Sequence, residues 1–497
     1  MCALRRTPSL SIAAVLALVG VGTAEAVAAP GLLRVLQDDA TLVHGPEPLR
    51  TRALDDLPAL GVDIVRVNVR WNELAPRRPR DQRDSATYTG SWAPYDQLVR
   101  EAAVRGVEVL FTVTTPGPAW AADDLTKRFP GARDPDPAAF GRFAEAAGRR
   151  YDGSADSPGR VSRWSIVNEP NNPRHLGPQS RAGALHAPGQ YRRLVRAGLA
   201  GLAATGHRGR EVLIGDLLAT GRTRRGETTA IGPIPFLREL LCLDRSDRPL
   251  RGRALRGHAG CRATMPRLEV AGLAVHLYYL KAGPDLAPRL RGDITPAGLV
   301  RLRRTLAAGK RAGRIGSTDV WDTEGGVQTN PPDRVFGVSF AKQAAFLNRS
   351  ENLLWHTPGV RSFAQYLLRD EPAGGTFQSG LWRTSGVHKP AYAAYRFPLD
   401  VRPASRTQLA VWGRVPPRAA AASGAGVGAG TGSRAGTGAG SGTVAGAART
   451  VTLTGPGGTT RTLTVAADRT FRALVPRRAG TYRATAGTDR SRTARAG

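Results

Sequence analysis

From about residue 31 to residue 400, short runs rich in Val, Ile and Leu alternate with longer amphipathic runs, eight times over. The apolar runs are 32–37, 63–69, 108–113, 163–167, 211–215, 272–277, 319–323 and 361–367. Helical periodicity lies between them, as at 95–105, 137–150, 188–204, 296–312 and 338–347. Strands that alternate with helices pair in parallel, because each helix carries the chain back to the starting edge. Eight such units predict a closed (β/α)₈ TIM barrel of the α/β class rather than an open sheet. In that architecture, reactive side chains gather at the C-terminal ends of the strands.

The character changes after Pro398. Residues 418–448 are almost wholly Gly, Ala, Ser and Thr, with nothing to bury. Around them the runs 408–415, 450–454, 460–465, 470–474 and 481–484 alternate polar and apolar residues, as half-buried antiparallel strands do. Residues 401–497 are therefore expected to form a small all-β, immunoglobulin- or fibronectin-like sandwich with a Gly/Ala-rich insertion. Residues 29–400 would be the barrel. At the other end, Arg5 and Arg6 precede an apolar run from Leu10 to Val21, followed by Ala24-Glu25-Ala26 and Ala26-Val27-Ala28. This is the pattern of a secretory signal over 1–28, too short for a membrane span. The expected location is extracellular, with no membrane span after cleavage.

The formal charge is +31, with 71 basic residues of which five are lysine. The arginines run from Arg5 to Arg495 without forming one stripe, which argues against a nucleic-acid partner. Weak association with an anionic cell wall fits the charge. Export also suits the cysteines. Beyond the signal there are two, Cys242 and Cys261, flanking an Arg-rich loop, and a disulfide between them is expected; two free thiols are the alternative. Eight histidines show no ligand spacing, so no metal and no cofactor is expected.

Two carboxylates stand where barrel chemistry belongs. The fourth strand ends in Ile166-Val167-Asn168-Glu169-Pro170 and the seventh in Asp322-Thr323-Glu324-Gly325-Gly326. Glycosidic cleavage needs one carboxyl group to protonate the leaving oxygen and a second to attack or assist from the opposite face. Two glutamates at one barrel rim supply both, whereas each taken alone reads as a strand-end or loop residue.

The stretch 31–400 resembles the clan of retaining (β/α)₈ glycosidases, clan A, which includes cellulase, mannanase, β-xylosidase and arabinofuranosidase families. The resemblance rests on Asn168-Glu169 ending strand four and Glu324 ending strand seven, and it suggests a secreted member of actinobacterial type. It implies that Glu169 is the acid/base, Glu324 the nucleophile, and Asn168 a partner of the sugar 2-hydroxyl. It also implies that Arg66 keeps the nucleophile ionised, and that in His276-Leu277-Tyr278 the tyrosine orients it. By the same logic Glu169 should carry a raised pKa and Glu324 a lowered one. Trp71 and Trp120, near strand ends, are the expected sugar platforms; Trp164 and Trp321 are expected in the core. Where relatives carry an aromatic ring after the nucleophile, this chain has Gly325-Gly326.

Three functions compete at this level. The first is a retaining O-glycosidase acting on a poly- or oligosaccharide. The second, motivated by Gly325-Gly326, is a catalytically weakened barrel that binds carbohydrate or cell wall. The third is a basic surface adhesin acting through its C-terminal part.

Overall fold

A computed structural model describes residues 31–222, 225–258, 260–372, 377–417 and 449–496. The expected signal at 1–28 and the Gly/Ala-rich segment 418–448 lie outside the described residues.

Eight parallel strands close into a barrel: β1 (Leu33–Gln37), β2 (Ile64–Arg70), β3 (Glu108–Thr114), β4 (Arg163–Ile166), β5 (Val212–Leu218), β6 (Gly272–Tyr278), β7 (Val320–Gly326) and β8 (Val360–Tyr366). Each is hydrogen-bonded to its sequence neighbours, and β1 pairs with both β2 and β8. Every strand falls on a sequence-predicted run. Helices α1 (Glu47–Leu60), α2 (Ala93–Val104), α3 (Pro137–Arg150), α4 (Ala187–Ala203), α5 (Pro233–Leu240), α6 (Val300–Arg311), α7 (Phe340–Trp355) and α8 (Pro390–Arg396) follow the strands in turn. Among the described residues no helix is long and apolar enough to cross a membrane.

Strand alternation sorts the residues into two cores. Val65, Val67 and Val69 point outward into the layer between sheet and helices, as do Leu273, Val275 and Leu277. Between them, Ile64 and Ala274 point inward and join Val35, Leu110, Leu213, Trp321 and Ala364 in an apolar plug inside the barrel. Two residues further along, the same inward rows carry Gln37, Arg66, Thr112 and His276, all buried. The barrel interior is thus apolar at one level and polar at the next, toward the C-terminal ends of the strands.

The C-terminal residues form two antiparallel sheets. One pairs Leu399–Pro403, Gln408–Arg414 and Thr470–Pro476; the other joins Thr460–Thr464, Thr450–Thr454, Gly480–Ala486, Asp489–Arg490 and Ala494–Ala496. Residues of both, such as Val411, Phe471, Leu453 and Tyr482, share one apolar cluster. The boundary expected at 400/401 falls inside the strand Leu399–Pro403. The expected helix 338–347 runs on to Trp355 for a related reason. Its polar residues Asn348, Glu351 and Asn352 are buried against the C-terminal strands, with Asn348 Nδ2 donating to Leu399 O at 3.1 Å and Asn352 Nδ2 to Asp400 Oδ2 at 2.6 Å. Sequence polarity there marks an interface, not a helix end.

The tightest link across that interface is ionic. Arg34 of β1 donates to both carboxylate oxygens of Glu351 at 2.9 Å, and Arg414 reaches the same carboxylate at 3.3 Å. All three side chains are buried. Glu351→Ala leaves two buried guanidinium groups without a counter-charge. A loss of about 3–5 kcal/mol in urea unfolding is expected, and a change below about 1 kcal/mol would show that the triad is no more than a surface-type pair.

Candidate active site

A cavity of about 660 Å³ opens at the C-terminal ends of the barrel strands, lined among others by Asn168, Glu169, Tyr278 and Glu324. Local backbone irregularities aim its reactive groups. At the end of β4 the non-glycine residues Val167 and Glu169 adopt φ of 62° and 45°. Such φ values cost energy and persist only where surroundings enforce them. Here Glu169 N donates to Asp216 O at 3.0 Å and Asn168 N to Thr114 Oγ1 at 2.9 Å. In β7 the register against β6 slips between Val275 and His276, so that Glu324 rather than Thr323 stands opposite His276. A bulge of this kind re-aims a side chain.

The sequence-predicted groups converge. Arg66, fully buried, donates from Nη1 to Glu324 Oε2 at 3.1 Å and from Nη2 to Asn168 Oδ1 at 2.8 Å, and also bonds Gln37 Oε1. The Tyr278 hydroxyl donates to Glu324 Oε1 at 2.5 Å. His276 Nδ1 lies 2.9 Å from Glu169 Oε1 and 3.8 Å from Glu324 Oε2. Donor atoms of Glu169, His276 and Glu324 all lie within 4.8 Å of one another. Three such groups can ligate a metal ion. In this arrangement, however, the Arg66 guanidinium already supplies positive charge beside Glu324, and His276 is paired with carboxylates.

Asp216, at the end of β5, completes the array and escaped the sequence reading. Its carboxylate accepts from Ser165 Oγ at 2.5 Å and Thr323 Oγ1 at 2.6 Å, and lies 3.2 Å from Arg66 Nη2 and 3.7 Å from His276 Nε2. Asn172 was also missed; its amide donates to Glu169 Oε2 at 2.7 Å. So was His175, whose Nε2 is 3.2 Å from Asn168 Nδ2.

Burial and mutual charge set the protonation of this cluster. Burial works against a charged His276, yet Glu324, Asp216 and Glu169 outweigh it and lift its pKa to about 10. For Asp216, burial is overcome by Arg66, His276 and the Ser165 hydrogen bond, and the pKa is lowered. For Glu169, burial is likewise overcome, by the hydrogen bond and charge of His276 with help from His175 and Asn172, so its pKa is lowered. Glu324 is raised, because burial and the charge of Glu169 exceed the pull of His276 and Arg66. These directions reverse the expected order for the two glutamates. His276 hydrogen-bonds Glu169 directly, whereas at Glu324 it acts only through its charge, which together with Arg66 does not offset burial and the charge of Glu169. The Tyr278 hydroxyl is pushed well above its ordinary pKa by burial and by Glu324, so it stays a donor.

The expected sugar platforms are not in the cavity. Trp71 is fully buried and packs against Phe140 and Phe143 of α3, with ring centroids 5.6 Å and 5.9 Å away. Its position follows the outward row Val65, Val67, Val69, which the alternation itself dictates. Trp120 is half-buried edge-on against Trp71 at 5.8 Å, its indole N–H donating to Ala75 O at 2.8 Å. Neither lines the cavity that holds the glutamates. The aromatic wall there consists of Tyr278, Tyr366 and Phe377, whose rings lie 5.0–6.1 Å apart, with the exposed Phe336 at the mouth. Trp164 and Trp321 are buried as expected. Away from the cavity, Cys242 and Cys261 form the expected disulfide.

No protein-family model matches the sequence, and no curated protein does. Among solved structures, the chain is similar to a family 39 glycoside hydrolase from the gut symbiont Bacteroides cellulosilyticus WH2, at 15% identity over 90% of this chain and 79% of that one, with a TM-score of 0.50. It also aligns with a glucosidase from Croceicoccus marinus, at 14% identity over 73% of this chain and 71% of that one, TM-score 0.46. A third match is a GH30 endoxylanase from Clostridium papyrosolvens C71, at 10% identity over 90% and 93%, TM-score 0.43. The first of these likenesses, at 15% identity and a TM-score of 0.50, shows a shared fold.

The charge on His276 has a consequence for stability. Its pKa is raised from 6.5 to about 10, so the folded state holds a proton that the unfolded chain gives up. The stabilisation is full below pH 6.5 and is lost as pH rises toward 10. Comparing urea unfolding of wild type and His276→Gln, the gap is expected to be widest near pH 6 and to narrow steadily toward about pH 10. A pH-independent gap would mean that His276 is neutral in the fold.

Proposed function

We propose that this chain is a secreted retaining O-glycoside hydrolase of clan A, cleaving a poly- or oligosaccharide by double displacement. Glu169 acts as acid/base and Glu324 as nucleophile. The observation that carries this reading is the approach of the two carboxylates, with donor oxygens within 4.8 Å around His276. A separation of about 5–5.5 Å between carboxyl groups suits direct attack on the anomeric carbon, whereas inversion needs roughly 6.5–9.5 Å to admit a water.

The hydrogen bonds support these roles. Glu324 must attack as an anion, and Arg66 and Tyr278 each direct a donor at it. Glu169 must deliver a proton, and in the free site that proton rests on His276 Nδ1, 2.9 Å away. Transfer from His276 to Glu169 makes Glu169 a neutral acid. The transfer neutralises both the His276 cation, which favours an ionised Glu324, and the Glu169 anion, which opposes it, so Arg66 and the Tyr278 hydroxyl are left to hold the nucleophile as an anion. Glu324 Oε2 then bonds to the anomeric carbon as the leaving oxygen takes the proton from Glu169. In the second half, Glu169 removes a proton from water, which attacks the same carbon and frees Glu324. Asn168, its Oδ1 held by Arg66, presents its amide toward the 2-hydroxyl. Tyr278, Tyr366, Phe377 and Phe336 provide apolar faces for sugar rings in place of the aromatic ring absent at Gly325-Gly326.

Secretion rests on the signal-like N-terminus and the Cys242–Cys261 bridge, which suits an oxidising compartment. The arginine-rich composition suits an actinobacterial-type source. The shared core of the two C-terminal sheets supports an immunoglobulin- or fibronectin-like sandwich.

The test is a panel of aryl β-glycosides and polysaccharides, with Glu324→Gln and Glu169→Gln beside wild type. Glu324→Gln is expected to fall to background. Glu169→Gln is expected to lose about 10²–10⁴-fold in kcat, least on substrates whose leaving group needs no proton. Proton NMR of the first product formed should show retained anomeric configuration. A folded wild type that binds a glycan but turns nothing over would instead favour the weakened-barrel reading, with Gly325-Gly326 as the first suspect.

A further inference from the structure

The loop between α5 and β6 joins a helix to the following strand, so it lies at the N-terminal ends of the strands, opposite the cavity of the glutamates. The Cys242–Cys261 disulfide ties this loop to itself. Between loop and α6 lies a second cavity, of about 600 Å³, walled by the guanidinium-bearing residues Arg248, Arg251, Arg311 and Arg314. Its one acidic wall residue, Asp247, is already engaged: Arg238 holds it at 2.7 Å and Thr305 donates to it at 2.9 Å. Among the described residues, none of the four arginine side chains has a hydrogen-bond or ion-pair partner. The Arg314 Nε is shielded from solvent and meets no acceptor. Close by, the buried Arg192 donates to the backbone carbonyls of Glu239 at 2.7 Å, Gly260 at 3.0 Å and Leu240, with the Glu239 carboxylate as its nearby opposite charge. Burial, with Arg314 among the neighbouring cations, holds its pKa down to about 10.

Arg248, Arg251 and Arg311 are exposed and Arg314 is half-buried, so an anion entering the cavity meets guanidinium groups that are open to it. Arginine's planar fork recognises carboxylates and phosphates in pairs of hydrogen bonds. A carboxylate offers two oxygens and a single charge. A phosphate ester has three terminal oxygens and nearly two charges, enough for several forks at once. We propose that this cavity is a binding site for a phosphate group, carried on a glycan or free. The site is separate from the glutamate cavity, so on a glycan-active enzyme it would anchor the protein while leaving the reactive mouth open. It does not depend on the proposed hydrolytic chemistry.

The test is calorimetric titration of the full chain at low ionic strength with inorganic phosphate, glucose 6-phosphate and, for comparison, acetate. Arg248→Gln/Arg251→Gln/Arg311→Gln removes three charges at the cavity. Arg402→Gln/Arg406→Gln/Arg495→Gln removes three exposed charges from the C-terminal sheets and serves as the equal-charge control. Expected is saturable one-to-one binding of phosphate that weakens at least about tenfold in the first variant and is unchanged in the second. Equal affinity for phosphate and glucose 6-phosphate identifies the free ion as ligand, and tighter binding of the sugar ester identifies a phosphorylated glycan. The proposal is overturned if both variants weaken alike, if acetate binds as well as phosphate, or if neither phosphate compound saturates.

Discussion

A guanidinium with no exposure sits inside the barrel, and the arrangement of the site follows from it. Arg66 cannot shed its charge at any relevant pH, so burying it demands anions and acceptors around it. Asp216 and Glu324 supply the charge, and Asn168 and Gln37 supply neutral oxygens. Those partners arrive from β1, β4, β5 and β7, so a single ion on β2 ties together strands on both sides of the barrel. The irregular backbone at Asp216, with φ of 42°, and the register slip before Glu324 are distortions that the buried charge helps to hold.

Electrostatic balance in this cluster leans negative. Glu169, Asp216 and Glu324 face Arg66 and a charged His276, three anions against two cations. A site of that sign suits a reaction whose transition state gathers positive charge on the sugar ring. The clustering also makes the protonation of each glutamate depend on the other. The proton that distinguishes them sits on a third residue, His276, in contact with one and within 4 Å of the other. Their protonation is a property of the group.

Most of the barrel was legible because parallel strands buried on both faces write themselves as apolar runs, and eight runs leave little choice of topology. The rows that alternation controls were legible too: Arg66 and His276 lie two residues beyond inward-facing Ile64 and Ala274. The same rule, applied one step further, puts Trp71 outward with Val69, and overlooking it produced the misplaced sugar platform. Asp216 was hidden for the opposite reason. Leu213 faces inward, so strict alternation sends Asp216 outward, and only the irregular turn at Gly215, with φ of 113°, brings it in. Phe377, Asn172 and His175 come from loops, where no periodicity exists to read. The pKa order differs from the expectation because Arg66 beside Glu324 was the one cation weighed, and the charge of His276 on Glu169 and the burial of Glu324 were not.

Two buried arginines on neighbouring strands show why the barrel reacts at one end. Arg34 on β1 and Arg66 on β2 each neutralise a glutamate. Around Glu351 a second guanidinium, Arg414, seals the carboxylate at 2% side-chain exposure, and the strand Gln408–Arg414 covers it. Glu324 has one guanidinium and one hydroxyl, keeps 10% side-chain exposure, and borders a cavity. Both oxygens of the first carboxylate are held by buried guanidinium groups, and among the described residues it borders no cavity from which a substrate could approach. The second has lost most of its hydration but retains an open approach, which leaves it both basic and reachable. Chemistry at this fold's C-terminal face therefore depends as much on what the C-terminal sheets close off at the other end as on the groups that line the mouth.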